Sequence, residues 1–145
     1  MTRSERMKPV ARVAESRQQQ AARRLGERQR ALDEQRRRLA ELETYRDEYA
    51  ARFERGETGM QGLQVREYRL FLDRLATAVE QQRRNVESAQ AALEQSRGEW
   101  TRTRVHQDAV DKVMGRFRAE EDHEQARLEQ AENDDFGQRS RQQDP

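Results

Sequence analysis

The chain has 145 residues and no cysteine; 39% of its residues are Asp, Glu, Lys or Arg against 32% hydrophobic, and its formal net charge is +1. So little apolar surface cannot enclose a globular core of ordinary thickness, and so even a charge balance leaves no overall field to select nucleic acid or an acidic membrane. The lack of cysteine excludes disulfide scaffolds and cysteine zinc sites and fits a reducing compartment.

Taken in chain order, Met1 to Pro9 holds no apolar stretch of the kind a secretory signal needs. Nowhere does the sequence offer the ~20 apolar residues of a membrane span. The expectation is a cytoplasmic chain with no direct membrane insertion. Pro9 suits a first helical turn. From there Ala11, Leu25, Leu32, Leu39 and Phe53 recur at one heptad position, a, while Ala14, Ala21, Leu42 and Tyr49 fall at d. Gln18, Arg28, Gln35 and Arg46 interrupt that stripe. The pattern predicts a first helix over about 9–55 and a bend over about 56–62, where Gly56 supplies a left-handed C′ residue. Thr58 and Gln61 have the spacing of a capping box for a second helix.

That second helix is expected over about 63–135. Tyr68, Leu75, Ala89, Val110 and Phe117 occupy d, and Leu72, Val79, Val86, Leu93, Trp100 and Met114 occupy a. No alternating β-branched run suggests a strand. The fold class is all-α: a long two-helix antiparallel coiled-coil hairpin, helix 2 longer than helix 1, with a flexible tail over 136–145. In antiparallel pairing a meets d, which leaves two registers. Paired residue numbers sum to about 121 in one and about 114 in the other. The first is preferred, because it opposes Trp100 to Ala21 and Leu32 to Ala89, large against small. Either register leaves Met114 and Phe117 beyond the start of helix 1, on an unpartnered stretch that ends in the acidic run from Glu120 to Asp135.

Chemistry-bearing motifs are absent. His106 and His123 are too far apart to share a metal, and Glu120-Glu121-Asp122 lacks the oxygen and glycine spacing of a calcium loop. Gly56, Gly59 and Gly62 are followed by no Lys-Ser/Thr, so they form no phosphate loop. A two-helix hairpin has no pocket for a nucleophile and base. The expectation is a binding protein, not an enzyme, with no cofactor and no metal. Arg23-Arg24, Arg28, Arg30 and Arg36-Arg37-Arg38 are threaded with Glu27, Asp33, Glu34 and Glu41, which argues against nucleic acid. Tyr45 and Phe71, one position before a-type residues, share a flank with Arg38 and Ala78. Exposed aromatics on a charge-coated hairpin mark a binding surface; a seam locally widened by half-buried rings is the other reading.

Several segments together resemble the flagellar export protein FliJ family. They are Leu42, Tyr45 and Tyr49, the glycine-containing bend, Leu63 to Tyr68, Phe71-Leu72, Leu75 and Gln81-Gln82, Trp100, and the stretch from Glu124 to Phe136. The resemblance implies a soluble component of the flagellar type III export apparatus, needed for flagellum assembly and motility. It implies a coiled coil similar to the central stalk of rotary ATPases, with the export ATPase hexamer, the cytoplasmic domain of the export gate protein and export chaperones as partners. Its place would be peripheral, at the inner face of the cell membrane. Carried over by position, gate binding falls to Leu42, Tyr45, Tyr49, Phe71, Leu75 and Ala78. Arg38 and Gln82 depart from residues that family members show there. With that resemblance, the apolar residues at the open end, Val10, Val13, Val110, Val113, Met114 and Phe117, are expected to enter the ATPase ring; self-association of two hairpins is the alternative. An injectisome stalk and a general coiled-coil scaffold are the other functional readings.

Overall fold

Thr2 fixes where the first helix begins. Its Oγ1 accepts the Glu5 N–H at 3.2 Å, while Glu5 Oε2 accepts the Thr2 N–H at 3.3 Å, a reciprocal capping box. In the computed structural model, which describes residues 1–56, 59 and 61–142, α1 therefore spans Arg3–Glu54 and starts ahead of Pro9. Pro9 lies inside the helix and forfeits the bond its N–H would give to the Glu5 carbonyl. Past α1, Gly56 takes a φ of 68° and its N–H reaches the Phe53 carbonyl at 3.2 Å. The left-handed residue expected there is present. Gly62, at φ 63°, opens the next helix by accepting the Arg66 N–H on its carbonyl. The Thr58–Gln61 capping box involves a residue outside those described.

The second helix, α2, spans Leu63–Gln142. It continues through residues expected to form a flexible tail. Arg139 pairs with Asp135 at 3.4 Å, and Arg139 and Arg141 occupy the last turn, where cations favour the helix dipole.

The chain divides into two compact units, Ala21–Trp100 and Met1–Gln20 with Thr101–Pro145. Within Ala21–Trp100 the two helices run antiparallel. The pairs Arg24–Glu99, Gln35–Gln82, Arg36–Gln90, Glu43–Arg83 and Tyr49–Tyr68 bridge them. Their numbers sum to between 117 and 126, centred near 121, and Phe53 stacks on Tyr68, so the register opposing Leu32 to Ala89 is the one adopted. Ala21, Leu32, Val79 and Leu93 are buried there. Leu32 and Val79 lose essentially all exposure, each contributing roughly 1.5–3 kcal/mol of apolar burial.

The other unit has its own small core of Ala14, Val110 and Met114, closed by Ser4. Here an expectation is overturned. Met114 is not on an unpartnered stretch, because the early start of α1 covers it to 6% exposure. Phe117 is half-buried, with the Arg3 guanidinium 5.7 Å above its ring. Helix pairing ends where the Ser4 N–H and Oγ–H both donate to the Glu121 carboxylate, at 2.9 and 2.6 Å. These bonds hold the Glu121 carboxyl below its ordinary range. Residues 122–136 are all exposed.

Candidate functional site

Five of the chain's aromatic rings converge beside the bend, because heptad spacing places Tyr45, Tyr49 and Phe53 along α1 opposite Tyr68 and Phe71 on α2. Tyr68 is the pillar. It stacks on Phe53 with centroids 5.3 Å apart and planes 12° apart, and its hydroxyl donates to the Tyr49 carbonyl oxygen at 3.0 Å. Tyr49 meets Phe71 edge-to-face at 5.3 Å. Tyr45 completes the set at 4.8 Å from Tyr49, their hydroxyls 3.3 Å apart. Ring pairs at such separations attract beyond their buried area.

The cluster grades from structural to available. Tyr49, Phe53, Tyr68 and Phe71 are half-buried, whereas Tyr45 is 48% exposed. The seam is widened here by half-buried rings, and one ring faces outward. Arg52 lies 5.4 Å over Tyr49 and Arg69 lies 5.7 Å over Phe53, so cations border the rings. The hydrogen bond with Tyr49 raises the Tyr45 phenol above its ordinary range. The surface offers apolar ring area and hydroxyl groups. Leu42, Leu75 and Ala78 are half-buried around it. Arg38, on the same flank, is tied back to Glu34 at 3.2 Å.

The residues expected at the ATPase ring separate into two groups. Val10 and Val13 are 44% and 50% exposed, and Val113 is half-buried. Val110 and Met114 are buried and serve the seam. Among the described residues no group of His, Cys, Asp and Glu is arranged to hold a metal ion, and no helix is long and apolar enough to cross a membrane.

Two features of the structure escaped the sequence reading. Thr2 and Glu5 carry the Thr-x-x-Glu signature of a capping box, which would have placed the helix start correctly. Ser4 and Glu121 are one heptad before Ala11 and one after Met114, so the a positions, carried outward, would have found both.

The sequence matches the family described as Flagellar FliJ protein over residues 3–144. The chain belongs to that family. Type III export stalk-like proteins form its class, and a structural or export role is the family's kind of activity. A solved structure of the protein CT670 from Chlamydia trachomatis, titled as a YscO homolog, has a similar fold. The TM-score is 0.70, with 22% identity over 94% of this chain and 93% of that one. At that identity the likeness speaks for the fold. No curated protein matches the sequence.

Proposed function

We propose that this chain works in the flagellar type III export apparatus as a mechanical and binding component. In this reading Tyr45, Tyr49 and Phe71, framed by Leu42, Leu75 and Ala78, dock on the cytoplasmic domain of the export gate protein. Val10, Val13, Val113 and the rim of Phe117 engage the export ATPase hexamer, while Val110 and Met114 hold the seam behind them. Export chaperones are escorted between the two, and the protein sits peripherally at the inner face of the cell membrane without entering it. No bond is made or broken by the chain. Its contribution is to hold two partners, one of them loosely, since small valines provide modest grip.

The observation that carries the gate assignment is the 48% exposure of Tyr45 against half-buried Tyr49 and Phe71. Aromatic rings at the centre of an interface commonly contribute more than about 1 kcal/mol each. Titration of the purified chain against the gate's cytoplasmic domain tests this. Tyr45→Ala with Phe71→Ala is expected to weaken binding by about tenfold or more with helix content intact. Unchanged affinity in a helical double variant refutes the gate assignment. Val10→Ser with Val13→Ser, assayed for ATPase binding and for mass in solution, tests the other end. Binding lost by a protein that is monomeric throughout supports ring entry. A dimer converted to a monomer, with ATPase binding unchanged, overturns it.

A further inference from the structure

The apolar heptads of Ala21–Trp100 do not by themselves select one pairing. Sliding α2 along α1 by seven residues returns a positions to d positions: Leu25 then opposes Ala89 in place of Leu32, and the seam stays largely apolar. Something else must distinguish the two arrangements.

Gln82 is 7% exposed and sits at a d position in the middle of the seam. Its Nε2 donates to the Gln35 backbone carbonyl at 2.9 Å and to Gln35 Oε1 at 2.7 Å. Its Oε1 accepts from Asn85 Nδ2 at 3.1 Å. The buried amide is thereby supplied on both its donor and its acceptor side. No buried side-chain nitrogen or oxygen among the described residues lacks a partner.

We propose that the Gln35–Gln82 pair is a register selector, tolerated inside the seam because it can be satisfied in only one of the two registers. One heptad of slip places Gln82 opposite Leu32, and Gln35 opposite Val79. Arg28, brought alongside Gln82 by the slip, offers its backbone carbonyl in place of that of Gln35, but its side chain is a donor only and cannot replace the Gln35 Oε1 acceptor. Buried Gln82 would then lose the Oε1 acceptor of its second Nε2 hydrogen, and half-buried Gln35 would lose its donor in the seam, a penalty that the same slip does not inflict on leucines. A polar pair of this kind lowers stability relative to an apolar one and raises the gap between competing pairings.

What the selector protects is the aromatic surface. The Tyr68–Tyr49 hydrogen bond and the Phe53–Tyr68 stack join α1 residues to α2 residues at fixed offsets, so a slipped register takes them apart. The inference concerns assembly of that surface and holds whichever partner it serves.

The chain has no cysteine, so introduced pairs report pairing without interference. Leu32→Cys with Ala89→Cys marks the adopted register, and Leu25→Cys with Ala89→Cys marks the slipped one. Both pairs are placed in the parent and in a Gln35→Leu, Gln82→Leu background, and disulfide yield is read at equilibrium in a glutathione buffer. The parent is expected to cross-link through the first pair only. In the leucine background, yield through the second pair should rise about tenfold, the change produced by about 1.4 kcal/mol of lost register preference, and the melting temperature should rise. A leucine background that cross-links as the parent does would show that the pair selects nothing. Loss of helix by circular dichroism in that background would equally overturn the proposal, since it would make the pair a stabiliser.

Discussion

Around Tyr68, α1 and α2 are joined by rings; around Ser4 they are joined by a carboxylate. The first junction buries apolar faces against one another and uses one hydrogen bond to a backbone carbonyl. The second has a half-exposed Glu121 that receives two donors from the first turn of α1, with Arg3 lying on Phe117 beside it. Apolar contact is nearly indifferent to pH and dilute salt, whereas a carboxylate contact answers to both. Two junctions between the same pair of helices are therefore open to different perturbations.

The strongest way to test this contrast is to remove apolar volume. Leu32→Ala, at a site 1% exposed, should lower stability by about 2–4 kcal/mol, read as a shift in the urea midpoint and the same at pH 7 and pH 4. A shift well under 1 kcal/mol would mean that the seam collapses around the gap. Tyr68→Phe keeps the stacked ring and deletes the hydroxyl that bonds Tyr49. It should lose about 1 kcal/mol and leave the near-ultraviolet ring signal largely in place. Thr2→Ala removes half the capping box and should lose about 0.5–1 kcal/mol. Amide exchange should quicken in the first turn of α1 and stay unchanged near the rings.

The smallest effect is also the most selective. Glu121 has a folded pKa below its ordinary 4.5, so below that value the unfolded carboxylate holds more protons than the folded one. Its contribution is complete above the ordinary range and disappears as pH falls through the depressed folded value. Acid should therefore shift the Ser4 amide resonance in the parent and leave it fixed in Glu121→Gln, with the rings beside the bend unaffected in both. Equal acid sensitivity at the two junctions would remove the contrast.

The fold was legible in the sequence because a and d spacing is a local signal repeated many times. The two long helices and the bend at Gly56 follow from it, while the register opposing Leu32 to Ala89 is one of two that the spacing allows and was preferred for setting large residues against small ones. What escaped notice were single polar events. One capping box moved the start of α1 and thereby covered Met114, and α2 runs on through residues that periodicity had left as tail, where Arg139 pairs with Asp135. The aromatic flank was legible as a place, since Tyr45 and Phe71 share a heptad edge. Its depth was not: Phe71 is half-buried against Tyr49 while Tyr45, at the same heptad edge, is left outermost, a difference that depends on side-chain rotation and not on heptad position.

The clustering of rings has an optical consequence. Aromatic transitions held 4.8–6.3 Å apart at fixed tilts form a chiral array, and all three tyrosines of the chain belong to it. Near-ultraviolet dichroism in the tyrosine bands, which vanishes when fixed packing is lost, thus reports on the neighbourhood of Tyr68, while fluorescence from the single tryptophan, Trp100, reports on the seam at another level. The native chain carries two separate spectroscopic channels, and local melting beside the bend can be followed without attaching a label.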